Sequence, residues 1–167
     1  MTASGDEDAP LTVLGEFCAK APVDMRLGRF VALGCMLGVS TEVCACAAAI
    51  SLPHPPFLRP NPFAATDPLE LYSIAAKVFT ARDRFDEGLL SEPLMCTNLL
   101  REFARQRTER ARRHFISDNG LSYRRTHTLA AVAKSLLRSC EPLLRRPSKF
   151  KMSDELRLDV LRFLLFG

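Results

Sequence analysis

Residues 42–50 read Glu42-Val43-Cys44-Ala45-Cys46-Ala47-Ala48-Ala49-Ile50, and beyond the first turn the run is apolar nearly all round. A helix of that kind has no face to give to water, so it belongs in the middle of a bundle. Its Ala and Cys side chains are small, which lets neighbouring helices come close. Ser40 or Thr41 is placed to cap it. Upstream, Met25–Leu37 carries Leu27, Phe30, Val31 and Met36 as apolar markers of a second helix. Gly34 and Gly38 there mark close packing and a helix end. Pro22 separates this helix from a short one over Leu11–Lys20, with Leu14, Phe17 and Cys18 on one face.

The helical pattern continues downstream. Pro53, Pro55, Pro56, Pro60 and Pro62 first impose an extended loop, because proline lacks a donor and biases its predecessor away from the helix. Asp67 then reads as an N-cap, with Pro68 at the first helical position and Glu70 at the third. That helix runs to Glu87 and stops at Gly88. Ser91 caps the next, with Pro93 in its first turn and Cys96, Leu99, Leu100, Phe103 and Ala104 on its apolar face. Asn119-Gly120 is a stop or turn. Ser122 caps a helix whose apolar side is Leu129, Val132, Ala133, Leu136, Leu137 and Cys140, and Pro142 ends it. Arg145–Lys151 reads as a basic linker. Ser153 caps a last helix, with Asp154 and Glu155 in its first turn and Leu156, Val160, Leu161, Leu164 and Leu165 inside. No strand is predicted, and the fold class is an all-α helical bundle.

Composition sets the outer limits. A chain of 167 residues suits one domain or a domain with a small appendage. With 47% apolar and 25% charged residues it can build a core without staples, which argues against wholesale disorder. The longest apolar stretch, Val43–Leu52, is about half the ~20 residues needed to cross a bilayer. The acidic start has no apolar region of the secretory type, so the chain reads as intracellular and not membrane-bound, its compartment (nucleus, cytoplasm or organelle) left open. Six cysteines are present: Cys18, Cys35, Cys44, Cys46, Cys96 and Cys140. Cys44 and Cys46 are two apart and form no C-x-x-C knuckle. No second pair completes a zinc site with the three histidines, so no metal is expected. This usage points to free thiols in a reducing compartment.

Charge is distributed unevenly. Residues 1–60 sum to −2, residues 61–100 to −3, residues 101–151 to +10 and residues 152–167 to −1. Eleven of the fourteen bases in the third block are arginine, the residue suited to forked phosphate contacts. The helix from Pro93 changes character near Arg101: at 100° per residue Arg101, Arg105, Thr108 and Arg112 fall within about 60° of one another as a basic stripe, and Arg107 lands on the former apolar face, which leaves the core there. A second stripe, Arg124, Thr128, Ala131, Ser135 and Arg138, lies opposite the apolar side of the following helix. It is cationic, hydroxylated and small, which lets a phosphate backbone approach. A polyanion partner and an ordinary solvated face are both compatible with this pattern.

Catalytic signatures are absent. There is no G-x-x-x-x-G-K-S/T loop, no Asp-Glu-Ala-His motif, no G-x-S-x-G elbow and no H-E-x-x-H helix. His54, His114 and His127 read as structural or solvated. Asp83 with Asp86 or Glu87, beside Arg82 and Arg84, read as surface ion pairs. No cofactor is expected within the chain.

The order of segments resembles the helicase-associated region, or ratchet domain, of DEAH-box and RNA-helicase-A-type ATP-dependent RNA helicases. Leu11-Thr12-Val13-Leu14-Gly15 is similar to the L-T-x-L-G that closes the family's winged-helix part. Ala21-Pro22-Val23-Asp24-Met25-Arg26-Leu27-Gly28-Arg29 is similar to its P-v-D-p-r-l-g-k run. Gly38–Val43 and Ala47–Ser51 resemble the stretch leading to A-x-L-S, and Pro55-Pro56-Phe57-Leu58-Arg59-Pro60 resembles d-P-F-x-x-P. Asp67–Leu71 stands where the family has S-D-H-L. Phe115–Leu121 followed by Ser122-Tyr123-Arg124-Arg125 resembles its F-C-x-x-n-x-L-s-x-r. Ser153–Gly167 resembles the helix before the OB-fold. Pro68 replaces the family's His, Ile116 its Cys, and Ser135 a common Gln. The segment from Asp67 to Phe115 is longer than usual, which marks the Arg101–Arg113 run as an addition.

The resemblance covers nearly the whole chain. It implies an acidic tail and winged-helix end over 1–24, a ratchet domain over 25–152 with an extended 72–113 segment, and over 153–167 a terminal helix leading to an absent OB-fold. It further implies an accessory, RNA-contacting and coupling role, with ATP and Mg bound by the parent helicase and not by this chain. Partners would be single-stranded RNA and the parent's RecA-like and OB-fold domains. The candidate RNA-binding residues are Arg101, Arg105, Arg112, Arg124, Thr128, Ser135 and Arg138, with intramolecular docking as the other use of each arginine. The alternative is a stand-alone helical interaction module with a basic docking face.

Overall fold

The computed structural model describes residues 11–63, 67–141 and 152–166. The protein is all-α. Among the described residues there are eight helices, α1 (Val13–Lys20), α2 (Met25–Met36), α3 (Ser40–Ser51), α4 (Pro68–Asp86), α5 (Glu92–Arg105), α6 (Glu109–Asp118), α7 (Tyr123–Ser139) and α8 (Asp154–Phe166), and no strand. The chain forms two compact units. One is Leu52–Ala131, with α4, α5, α6 and the start of α7. The other consists of the described residues before Leu52 and from Val132 onward.

In the unit holding α1–α3, short polar side chains set the helix starts. Thr12 Oγ1 accepts from the Gly15 amide at 3.1 Å, and Asp24 Oδ1 accepts from that of Leu27 at 2.9 Å. Helix α2 ends at Gly38, whose φ of +81° suits a residue without a Cβ. Its amide donates to the Cys35 carbonyl at 3.2 Å and that of Val39 to the Gly34 carbonyl at 2.9 Å. This paired return satisfies the last carbonyls of the helix. The chain passes straight into α3, so neither Ser40 nor Thr41 is needed as its cap: the Val43 amide already bonds the Val39 carbonyl at 3.0 Å. Val43 to Ala48 are all buried, as the unbroken apolar run requires. Helix α8 packs on α2 and is tied to α3 by Arg157 Nη1, which donates to Glu42 Oε1 at 2.9 Å. Two apolar positions expected inside are not: Met36 and Leu156 are exposed.

The other unit has its own core of Phe57, Val78, Ala81, Phe85, Met95, Leu99, Phe103, Phe115, Ile116 and Leu121. Asp67 caps α4 as expected, accepting from the Leu69 amide at 2.9 Å. Val78, Ala81 and Phe85 give α4 an inner face, yet its outer side carries exposed Leu69, Tyr72 and Phe79. Asp86 is no surface ion pair. Its carboxylate accepts from the amides of Leu90 and Ser91 at 3.0 and 3.3 Å and pins the α4–α5 turn. Arg82 instead faces Glu92 at 3.8 Å. Ser91 sits at the α5 N-cap without a side-chain cap bond. The α6 stop is a second paired return, through Gly120 at φ +57° and Leu121. Pro142 and the basic 145–151 segment lie outside the described residues.

Candidate nucleic-acid interface

The arginine-rich block begins on α5. Arg101 is exposed and donates Nη1 to Asn98 Oδ1 at 3.3 Å, while Arg105 is ion-paired with Glu102. The helix then ends at Arg105, with Gln106 extended (ψ 101°). Thr108 starts α6, its Oγ1 accepting from the Ala111 amide at 3.1 Å. The expected single stripe is therefore divided. Arg101 and Arg105 lie on α5, Thr108 is a cap, and Arg112 lies on α6. The reason is local: a threonine followed by Glu109 offers an N-cap and an acid in the first turn, which favour a new helix over a longer one. Arg112 is half-buried in the corner so formed. Its Nε donates to the Gln106 carbonyl at 3.1 Å and its guanidinium lies 5.7 Å from the Phe103 ring centroid. Both contacts fix the turn between α5 and α6.

Helix α7 keeps the sequence register throughout. Arg124, Thr128 and Ala131 in one unit, and Ser135 and Arg138 in the other, are all exposed. Leu129, Leu136 and Cys140 are buried on the opposite side. Thr128 Oγ1 donates to the Arg124 carbonyl at 2.9 Å, so this hydroxyl folds back onto the helix. Among the described residues neither Arg124 nor Arg138 has an ion-pair partner. Arg125 does something else: its Nη1 donates to the Phe57 carbonyl at 3.2 Å and ties α7 to the proline loop.

Four residues outside the sequence-derived set, Glu109, Arg110, Arg113 and Tyr123, lie on α6 and at the start of α7. Glu109, Arg110 and Arg113 line a shallow groove with His114 and Ser117 on α6. Tyr123 donates its hydroxyl to Glu109 Oε1 at 2.9 Å, and Arg113 Nε donates to the same oxygen at 3.3 Å. The hydrogen bond to Glu109 holds the Tyr123 phenol above its ordinary range, since ionising it would set two anions together. The same bond holds Glu109 below the usual carboxylate range; burial opposes it, and the Arg113 guanidinium adds to the lowering. The Glu109–Arg113 pair is legible at four-residue spacing. The Tyr123 contact, 14 residues away, has no local signal.

Elsewhere, a cleft of about 700 Å³ between α4, α5 and α6 is floored by Phe85 and Phe115 and rimmed by Arg84, Glu87, Glu102, His114 and Asp118. His54 and His114 are exposed, while His127 is half-buried between aromatic rings. The six cysteines are buried and unbridged. Cys44 Sγ lies 3.8 Å from Cys140 Sγ, and that contact, then Cys35, then burial push the Cys44 thiol up. No group of three His, Cys, Asp or Glu among the described residues is placed to hold a metal. No helix among them is long and apolar enough to cross a membrane.

No protein-family model matches the chain.

Proposed function

We propose that the protein is a helical accessory region of a DEAH-type ATP-dependent RNA helicase, and that it holds single-stranded RNA by its phosphates. The observation that carries this reading is the start of α7, where Arg124 stands exposed and, among the described residues, without an ion-pair partner beside exposed Thr128 and Ala131; in the other unit Arg138 is likewise exposed and without an ion-pair partner, with Ser135 exposed one turn before it. Small and hydroxyl side chains beside each guanidinium group leave room for a sugar-phosphate chain. Arg101 and Arg105 supply further charge from α5, and Arg112 acts by fixing the corner between α5 and α6. The order of sequence segments supports the helicase kinship, the ratchet-like assignment and the winged-helix end at the N-terminus. ATP and Mg then belong to RecA-like domains of the parent protein, inside the cell, and this chain alone releases no phosphate from ATP.

An electrophoretic shift with poly(U) at low and at high salt tests the reading. Weak binding that fades with salt is expected. Absence of binding at low salt refutes it, and RNA-stimulated phosphate release by this polypeptide refutes the assignment of ATPase chemistry to other domains.

A second reading, a stand-alone protein-interaction module, draws on the outer side of α4. Exposed Leu69, Tyr72 and Phe79 form an apolar ridge there at helical spacing. That module would give no shift with poly(U).

A further inference from the structure

The row on α7 can hold phosphates, but it has no group that would recognise a base. A neighbouring feature does. Tyr123, at the first position of α7, is 48% exposed although it is held at both ends. Its ring packs on His127 with centroids 4.3 Å apart and planes at 39°. His127 in turn meets Phe103 edge-on, at 5.5 Å and 88°. Phe103 is buried in the core. The three rings form a column that starts in the interior and ends at the surface, with Tyr123 outermost. At its far end the Tyr123 hydroxyl donates to Glu109 Oε1 at 2.9 Å, and Arg113 braces that carboxylate.

Simple packing does not require this arrangement. A tyrosine that only filled space would bury its ring, and one that only solubilised the surface would not be fixed at both ring and hydroxyl. Here the ring's orientation is set before any ligand arrives, so stacking on its exposed part costs little further entropy. Beside it, Arg110 and Arg113 line the α6 groove with a single carboxylate, Glu109, between them. A half-exposed aromatic ring whose hydroxyl shares the Glu109 oxygen with Arg113, near the arginines of the α6 groove, matches the two chemical parts of a nucleotide, a flat base and an anionic phosphate.

We infer that Tyr123 is a stacking seat for one base of single-stranded RNA, with Arg110 and Arg113 taking the adjoining phosphate. The inference rests on the RNA reading above and adds to it a requirement for an unpaired base. A duplex hides its base faces and would not use the seat. Every base has a π-face, so the seat tolerates sequence.

The chain provides its own reporter. It has no tryptophan and two tyrosines, Tyr72 and Tyr123, so a Tyr72→Phe variant emits from Tyr123 alone. Titration of that variant with a short oligouridine is expected to quench the emission saturably. An abasic ribose-phosphate strand of equal length and charge is expected to bind without quenching. In a labelled-strand binding assay, Tyr123→Leu should weaken oligouridine binding about tenfold and leave the abasic strand unaffected. Tyr123→Phe, which keeps the ring and loses the Glu109 bond, should retain most of the affinity. If both strands bind wild type equally and Tyr123 emission does not respond, the stacking seat is refuted while phosphate binding stands. If neither strand binds at low salt, the RNA reading falls and the seat with it.

Discussion

Replacing Gly34 with alanine tests the crossing on which the α2–α3 pair is built. A Cβ at position 34 would lie 2.3 Å from Val43 Cγ1, 2.5 Å from Cγ2 and 2.8 Å from Cβ. Carbon atoms prefer about 3.5–4.0 Å, so all three overlap by more than about half an ångström, the closest by more than about one. Rotating Val43 about χ1 moves its methyls and leaves its Cβ in place, so the helices themselves must separate. Val43 is fully buried, which leaves it no room to retreat. Overpacking of this kind costs about 1–3 kcal/mol, while alanine gains about 0.5–1 kcal/mol over glycine inside a helix. The net loss is about 1–2 kcal/mol, or roughly 5 °C in thermal midpoint for a chain of this size. Val43→Ala alone should cost about 2 kcal/mol in lost burial and cavity. In the double variant the methyl introduced at position 34 occupies part of the vacated space, so the two losses should fall short of additivity by about 1 kcal/mol. Urea and thermal unfolding followed by circular dichroism give all four values. A Gly34→Ala midpoint at or above wild type, or strictly additive losses, refutes the close crossing.

Three further outcomes follow from single contacts. Thr126 is fully buried and its hydroxyl has no hydrogen-bond partner among the described residues, so Thr126→Val should be neutral or stabilise by about 1 kcal/mol; a loss in urea unfolding would show the hydroxyl to be bonded. Arg157→Met strips the partner from Glu42, whose side chain is only 11% exposed, and should cost about 1–2 kcal/mol, the partial exposure of Arg157 keeping it below a fully buried pair; an unchanged midpoint would mean that α8 is not anchored there. Tyr123 should titrate above the ordinary phenol range in ultraviolet difference spectra of the Tyr72→Phe variant, and Glu109→Gln should bring it down; the native chain keeps its Tyr123–Glu109 bond until the pH rises through that raised value, and equal titration with and without Glu109 would contradict the contact.

The helices were legible wherever one residue type carried one meaning. Leu129, Leu136 and Cys140 against Arg124, Thr128, Ala131, Ser135 and Arg138 gave both faces of α7 from spacing alone, and Gly38 and Gly120 gave helix ends because each needs a positive φ. The stretch that forms α5 and α6 carried two meanings. Thr108 fits the face of a long helix as well as the cap of a short one, and no glycine or proline decides between them; its hydroxyl bond to the Ala111 amide does. Met36 and Leu156 fitted their apolar patterns but lie exposed. Within the candidate interface, the α7 residues could be found from periodicity, whereas Tyr123 could not. Its value comes from Glu109 and from the His127–Phe103 ring column, which only the folded chain assembles.

The salt dependence of oligouridine binding tests most directly whether exposed guanidinium groups hold the RNA. If Arg124, Arg138, Arg110 and Arg113 each neutralise one phosphate, log K should fall against log salt with a slope of about −3, near −0.7 per single-strand phosphate contact. Removing two charges in Arg124→Gln/Arg138→Gln should flatten that slope by about 1.4 units. A slope that the double variant leaves unchanged, or no binding by wild type at about 50 mM salt, contradicts the account.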